Sequence, residues 1–273
     1  MTAPALHHLE DVMGTVVTID VYTGEPAQPS PPGLSAKLAT ALATAVATLH
    51  RADEVFSTWQ PHSPVSRLRR GEITLAQAPP EVAAVLELCA IARDRTDGWF
   101  DPWAMPGGVD PTGYVKGWAA QRALAAFHDN DDHNDDHNDS HIAGAIVNAA
   151  GDIATFGGLP DGTPFRIGIT DPASPRRIAE VVTLTGAIAT SGTYERGNHL
   201  IDPRSGQPAA RVASASVTGP DLGLADALAT ALAVGGAPVL DLIDALDGYA
   251  AFTIGADGRQ SWTEHFPFAE TLR

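Results

Sequence analysis

The order of the hydrophobic patterns constrains the fold of this chain more than any other feature. The alternation in Val16–Tyr22 predicts a strand, and apolar residues at helical spacing predict long helices at Leu34–Phe56 and Glu81–Thr96. Short strand patterns dominate after residue 142. Further helices are predicted at Gly117–Phe127, Leu222–Val234 and Val239–Ala245, and further strands at Ile142–Asn148, Ile153–Gly158, Phe165–Thr170, Ala179–Thr185, Val212–Val217, Ala250–Ile254 and Gln260–Trp262. This order is neither strict βαβ alternation nor all-β, so we expect an α+β fold, with one domain over residues 1–273.

The charge balance limits the classes of partner. The formal net charge is −16 and the isoelectric point is about 4.8. A general nucleic-acid binder needs a positive footprint, so we expect no nucleic-acid partner. The single cysteine, Cys89, excludes an intrachain disulfide and a cysteine zinc site, and its helical pattern predicts a buried small hydrophobe.

The N-terminus carries no basic region followed by an apolar one, and no run approaches the roughly 18–20 apolar residues of a membrane span. We therefore expect a cytoplasmic protein, unless a signal has been removed from the sequence. The sequence does not fix the oligomeric state.

Two segments lack a periodic pattern. Gly98–Gly117 holds five glycines and two Asp-Pro steps, which predict a long loop without regular structure. Such a loop is typical of a functional site. The alternative is that its aromatic residues form a small core cluster beneath it. His128–His141 (HDNDDHNDDHNDSH) has no apolar residue and is interpreted as a disordered acidic and histidine-rich surface insertion. Such a tract binds metal adventitiously rather than at a preorganised site.

Candidate catalytic and metal-binding residues lie in the last third of the chain. In Ala187–Gly206 (AIATSGTYERGNHLIDPRSG), His199 and Asp202 flank a short apolar strand, which is typical of a catalytic edge or of a solvated hairpin. Asp226 and Thr230 are at i and i+4 of a predicted helix and so share a face. They offer two oxygen ligands to Mg²⁺, or else an N-cap and a hydroxyl bonded to its own helix.

Lys116 lies where a loop passes into a helix, a junction that suits an anionic group. The spacing of its glycines matches neither the phosphate-binding loop of nucleotide hydrolases nor the dinucleotide fingerprint. A lysine at a helix start is otherwise ordinary.

Taken together and in order, these segments resemble the ApbE family of FAD:protein FMN transferases over nearly the whole chain. The most specific matches are TSGTYER…HLIDPRSG, DPTGYVKGWA and ADALATAL. The resemblance implies a T-fold-related mixed sheet packed by helices in a single large domain. It also implies FAD as substrate, Mg²⁺ (with Mn²⁺ as an alternative), and a partner flavoprotein whose Ser or Thr receives the FMN moiety while AMP leaves.

The resemblance also assigns residues. Asp226 and Thr230 would be the Mg²⁺ side-chain ligands, with a backbone carbonyl near Gly113, and His199 would be the base that deprotonates the acceptor hydroxyl. The residues implied to line the FAD site are Met13, Trp59, Phe100, Asp101, Asp110, Lys116, Asn148, Gly151 and Asp152, with Trp59 stacking on a ring.

Three residues depart from the family's usual pattern. Ala150 stands at a usual Gly, Gln121 at a usual Asp, and Trp59 at a usual Tyr. Two other functions remain open from the sequence: an Mg²⁺-dependent FAD pyrophosphatase that releases FMN and AMP, and an FAD-binding protein without turnover.

Overall fold

The computed structural model describes residues 2–24, 32–128, 142–192 and 200–270. Its helices are α1 (Pro32–Phe56), α2 (Pro64–Arg69), α3 (Pro80–Arg95), α4 (Thr112–His128), α5 (Leu222–Gly235) and α6 (Ala237–Asp244), with short 3₁₀ turns at Leu75–Gln77 and Pro102–Ala104. Its strands are β1 (Leu6–Val12), β2 (Thr15–Thr23), β3 (Ile142–Ala149), β4 (Asp152–Gly157), β5 (Phe165–Asp171), β6 (Ser174–Leu184), β7 (Ala187–Gly192), β8 (Ile201–Asp202), β9 (Gln207–Pro208), β10 (Ser214–Gly219), β11 (Ala250–Ile254) and β12 (Gln260–Trp262).

An eight-stranded sheet in the order β1-β2-β3-β4-β7-β10-β11-β12 organises the chain. Every strand pair in it is antiparallel, whereas the family resemblance implied a mixed sheet. The α+β class is confirmed, with a helical stretch before the strand-rich half and α5 between two of its strands. The β5–β6 and β8–β9 pairs form two small separate ladders.

The two faces of the sheet bury different layers because side chains alternate along each strand. In β7, Ala189 belongs to the large core that the sheet shares with the helices, whereas Ile188 points into a second core. That second core also contains Val182 of β6 and Phe266 near the C-terminus. The helices therefore cover one face of the sheet, and the β5–β6 hairpin with the C-terminal segment covers the other.

Helix α5 lies at the centre of the molecule, with nearly all its residues buried. Asp221 caps it by accepting a bond from the Leu224 N–H at 2.7 Å, and Gly236 ends it at φ 67°. Gln121 of α4 accepts a bond from the Leu222 N–H at 2.6 Å and donates to the Pro220 carbonyl at 3.0 Å. The glutamine is thus a second cap for α5, which gives a physical role to this departure.

Three expectations need correction. Strand β1, at the sheet edge, was not predicted, because its sequence LHHLEDV has apolar residues only at every third position and so lacks the alternation of a strand. Residues 112–117 were expected in a loop, but they begin α4, because Asp110 accepts a bond from the Thr112 N–H at 3.1 Å and starts the helix. The strand expected after His199 has two residues and pairs with β9 rather than with the main sheet.

The remaining periodic segments agree with the prediction to within a few residues. The acidic tract lies outside the described residues from 129 onwards, as do 25–31, 193–199 and 271–273. Among the helices that are described, none combines the length and apolar character that a bilayer crossing requires.

Candidate functional site

Two tight turns meet at one end of the sheet. Residues 13–14 join β1 to β2, and residues 150–151 join β3 to β4. The β2–β3 register pairs Val17 with Ala149, which places both turns at the same sheet end. Met13 (φ 55°) and Ala150 (φ 51°) both adopt the left-handed conformation, as two-residue hairpin turns of type I′ require.

A cleft of about 650 Å³ opens beside these turns, between the sheet end, α1, α4 and α5. It brings together nine of the predicted site residues. They are Met13, Trp59, Phe100, Asp101, Asp110, Gly113, Lys116, Asp226 and Thr230. These nine residues therefore line one cavity, although they lie far apart in the sequence.

Four oxygen-bearing groups converge inside the cleft. Asp226 is 3% exposed, and Thr230 follows it one helical turn later on α5. The Thr230 Oγ1 lies 3.3 Å from the Ser191 Oγ of β7. A Cβ built on Gly113 would lie 3.5 Å from the same Thr230 oxygen, so the start of α4 also approaches this point. Asp226 does not cap α5, because Asp221 does, so the alternative of a capping role is wrong.

A buried charge cluster adjoins this point. The Lys116 Nζ lies 2.8 Å from the Asp152 Oδ2, and the Asp152 carboxylate is fully buried. The Gly117 N–H approaches the Asp226 Oδ2 at 3.4 Å. Burial raises the pKa of Asp226 well above its usual range, and the charge of Asp152 adds to the rise, while Lys116 opposes it. One ammonium therefore lies near two carboxylates, so it does not neutralise both when both are ionised. A bound cation would supply the missing positive charge.

Two further acidic residues of the cleft, Asp101 and Asp110, are bound to their surroundings. Asp101 accepts a bond from the Trp103 N–H at 2.9 Å and forms an ion pair with Arg93 at 2.9 Å. Asp110 accepts from Thr112 and forms an ion pair with Arg69 at 3.1 Å. Both carboxylates therefore hold the cleft wall in shape.

The aromatic residues occupy two depths. Trp59 is 91% exposed at the mouth of the cleft, whereas Phe100 is buried in its wall. Trp99 and Tyr114 are also buried, so the core cluster considered for this segment is present as well. An exposed tryptophan beside a cleft is a ready surface for a stacked ring.

Asn148, Gly151 and Asp152 are not among the residues that line the cleft. The Asn148 Oδ1 accepts a bond from the Gly151 N–H at 2.9 Å across the turn. Asp152 reaches the cleft through Lys116 and also accepts a bond from the Thr190 N–H at 3.3 Å. Their contact with FAD stays a prediction.

His199 lies outside the described residues. The next residues, Leu200 and Ile201, line the cleft together with Pro203. Arg204 then anchors the segment, with its guanidinium 3.7 Å from the centre of the Trp99 ring and bonded to the Asp97 carbonyl at 3.0 Å.

Sequence reasoning missed several polar residues that line the cleft. Ser191 was quoted only as part of a motif, and its approach to Thr230 depends on the β7–α5 packing. Others are Asp53, Ser57, Thr58, Gln60, Thr112 and Thr190. Ser57 lies in the sequence Phe56-Ser57-Thr58, directly before the predicted site residue Trp59, and this neighbour was a signal for it. Its place in the cleft nevertheless depends on tertiary packing, which the sequence does not show. Cys89 is buried as predicted, and burial raises the pKa of its thiol to about 12.

Comparison with known proteins places the chain in a family. The model of the ApbE family matches residues 13–107 and 104–253, most of the chain. The chain belongs to the ApbE family. It is 38% identical over 104 residues to the FAD:protein FMN transferase of Rhodobacter capsulatus, a match that covers 35% of this chain and 20% of that protein.

Solved ApbE structures share the fold. The flavin transferase ApbE of Vibrio cholerae superposes with a TM-score of 0.76 at 21% identity, covering 97% of this chain and 99% of that one. The ApbE protein of Thermotoga maritima gives 0.75 at 21% identity, covering 95% and 97%. The flavinyl transferase ApbE of Pseudomonas stutzeri gives 0.71 at 23% identity, covering 95% and 94%.

Within this ApbE chain, the cleft brings several kinds of ligand-binding group together. It combines an exposed ring, a lysine and a buried oxygen cluster within one cavity. Such a set holds a phosphorylated ligand with few cationic side chains if a divalent ion contributes charge.

Proposed function

We propose that this chain is an Mg²⁺-dependent FAD:protein FMN transferase. It attaches the FMN moiety of FAD through a phosphoester to a Ser or Thr of a partner flavoprotein and releases AMP. Membership of the ApbE family and the curated relative from Rhodobacter capsulatus support the activity. The cleft supports the assignment of roles to residues.

The convergence of Asp226 and Thr230 with Ser191 and Gly113 carries the proposal. Two elements supply hydroxyl and carboxylate oxygens at one point, and a third, α4, brings its backbone there. Oxygen-only ligands suit Mg²⁺, and Mn²⁺ accepts the same set. Asp226, Thr230 and the Gly113 carbonyl would hold the ion.

The chemistry of the donor set fits such an ion. Asp226 is buried near a second carboxylate, and the resulting rise of its pKa is what a nearby cation would reverse. When bound, Mg²⁺ supplies Lewis-acid polarisation and charge neutralisation at the FAD diphosphate. Lys116 adds a positive charge on the same wall, held in place by Asp152.

The transfer itself needs a base and a leaving group. The acceptor hydroxyl oxygen forms a bond to the FMN phosphorus, and the bond from that phosphorus to the bridging oxygen breaks, so that AMP leaves with that oxygen. His199 takes the hydroxyl proton, since a neutral imidazole near pH 7 suits this task. The cleft-lining position of Leu200, the next residue, supports this role.

The cleft shape supports the placement of FAD. Trp59 offers an exposed face for stacking, and Met13 and Phe100 add apolar surface nearby. Asp101 and Asp110 hold the wall through their bonds to Arg93 and Arg69. FAD is then aligned by contacts along its whole length, which is the main requirement of phosphoryl-type transfer.

Substitution of Asp226 tests the proposal. The Asp226→Asn variant keeps the shape but removes the charge, so AMP release from FAD in Mg²⁺ should fall by at least about 100-fold while FAD binding persists. Asp241→Asn on the exposed part of α6 is the matched control and should keep full turnover. AMP release unchanged in Asp226→Asn would remove Asp226 from the site.

A further inference from the structure

Arg69, the last residue of α2, reaches across to the loop that joins the Pro102–Ala104 turn to α4. Its Nη2 donates to the Pro106 carbonyl at 2.8 Å, and its Nη1 donates to the Val109 carbonyl at 3.1 Å. The same Nη1 lies 3.1 Å from the Asp110 Oδ2. The side chain is only 15% exposed, and its bond to Val109 is partly buried, whereas the bond to Pro106 is exposed. One guanidinium thus holds three successive parts of a single loop.

Besides Arg69, this loop is held by the bonds of the Gly108 and Asp110 N–H groups to the Met105 and Pro102 carbonyls, and by the packing of Val109 on the large core. Pro106 and Gly107 are exposed, and Met105, Gly108 and Val109 are half-buried. The loop lies directly against Arg69: a Cβ on Gly107 would lie 3.0 Å from the Arg69 Nη2, and one on Gly108 would lie 3.3 Å from the Arg69 carbonyl oxygen. A loop with few buried apolar contacts depends on its polar anchors for order.

The loop in turn shapes the cleft. Met105 and Asp110 line it, and the second oxygen of Asp110 accepts bonds from the Thr112 N–H at 3.1 Å and the Thr112 Oγ1 at 2.6 Å. Thr112 begins α4, which carries Gly113 and Lys116 into the cleft. A path of direct bonds therefore connects Arg69 to the start of the helix that faces the substrate.

The ion pair also matters electrostatically. Asp110 faces a cleft that would hold an anionic diphosphate, and an unpaired carboxylate there would repel it. Arg69 compensates this charge from behind the wall and is not itself among the residues that line the cleft. The planar guanidinium of Arg69 donates to two carbonyls and a carboxylate at once. The compact ammonium of a lysine does not span all three.

We propose that Arg69 is a positioning residue for FAD, which clamps the Met105–Asp110 loop and compensates Asp110 so that the cleft is preformed. The inference rests on the proposed function for the identity of the ligand. It predicts that loss of the guanidinium disorders the loop and weakens FAD binding, whereas the general stability of the fold changes little.

Two measurements on the full chain test this role. Amide hydrogen exchange without FAD should show faster exchange at Gly108 and Asp110 in Arg69→Ala, because their N–H groups bond the Met105 and Pro102 carbonyls within the clamped loop. The dissociation constant of FAD should rise by about 10- to 100-fold. Arg69→Lys should recover part of this loss, and guanidinium at low millimolar concentration should rescue Arg69→Ala, whereas methylammonium should not.

Arg70→Ala is the matched control. Arg70 adjoins Arg69 and also bonds a carbonyl, that of Pro61 at 2.5 Å, and a carboxylate, that of Glu72 at 2.6 Å, but it does not touch the loop. Its loss should leave loop exchange and FAD affinity within about twofold of the wild type. Unchanged loop exchange in Arg69→Ala, or faster exchange with unchanged FAD affinity, would overturn the role. Failure of the wild type to bind FAD would instead overturn the proposed function, since loop exchange is measured without ligand.

Discussion

Ala150 introduces backbone strain into the turn between β3 and β4. It adopts φ 51° in the turn between β3 and β4, where glycine is the ordinary choice because it has no Cβ. A left-handed conformation costs a non-glycine residue about 1–2 kcal/mol. The hairpin persists because Asn148 bonds the Gly151 N–H and because both strands pair along their length.

We therefore expect Ala150→Gly to stabilise the protein. The gain should be about 0.5–1 kcal/mol in the free energy of unfolding, since part of the relieved strain is offset by the greater freedom of glycine in the unfolded chain. Denaturant unfolding measures it. Ala149→Gly, one residue earlier and fully buried in β3, is the control and should lose stability. Equal stability of Ala150→Gly and the wild type would show that the turn is unstrained.

At the scale of elements, the crossing of α4 and α5 decides the site. A Cβ on Gly117 would lie 2.4 Å from the Leu222 carbonyl oxygen, and one on Gly223 would lie 2.7 Å from the Tyr114 ring. The two helices therefore approach more closely than side chains would permit. This approach brings the Gly117 N–H near Asp226 and the start of α4 near Thr230.

Gly117→Ala should accordingly force the helices apart. We expect a loss of about 1–3 kcal/mol in the free energy of unfolding, as for other overpacked cores, together with weaker Mg²⁺-dependent turnover. Gly113→Ala in the same helix is the comparison, because its Cβ would meet the Phe100 ring at 3.3 Å rather than a backbone oxygen. Thermal unfolding of both variants provides the measurement, and a Gly117→Ala protein as stable as Gly113→Ala would contradict the close crossing.

Periodicity predicted the long elements but not where one of them begins. Leu34–Phe56 and Leu222–Val234 were predicted well, since each has a sustained apolar pattern. The start of α4 was misplaced because Asp110, Pro111 and Gly113 were interpreted as loop residues, although Asp and Pro also mark helix starts. Ser191 and the Lys116–Asp152 pair were not predicted, since their contacts depend on how β7, α4 and α5 pack.

At the scale of the whole molecule, β3 and α4 each have one end at the cleft and the other end next to the acidic tract. The eight residues of β3 run from Ile142 to the turn beside the cleft, a span of about 25 Å. Likewise α4 begins at the cleft and reaches His128 only after 17 residues, again about 25 Å away. Gly117, the residue of α4 beside Asp226, precedes His128 by eleven residues of helix, about 17 Å, so both residues that flank the tract lie away from Asp226.

Replacing residues 129–141 by a Gly/Ser linker of equal length should leave the site intact. His128 is retained because its ring packs against Phe156 at 5.3 Å. Unfolding free energy should change by less than about 0.5 kcal/mol, as for surface changes generally. FAD affinity, measured by titration, should stay within about twofold of the wild type, and a lost affinity would show that the tract contributes to the cleft.

The transfer itself is tested most directly by incubating the protein with FAD, Mg²⁺ and a flavoprotein or peptide that carries a candidate acceptor Thr. AMP release and the mass of the acceptor are followed together. Our account predicts that AMP appears in step with an acceptor heavier by one FMN moiety, and that both are lost in Asp226→Asn and His199→Ala. AMP with free FMN and an unmodified acceptor would indicate a pyrophosphatase, and bound FAD without AMP in Mg²⁺ or Mn²⁺ would indicate a binding protein. Either result would contradict the proposed transferase.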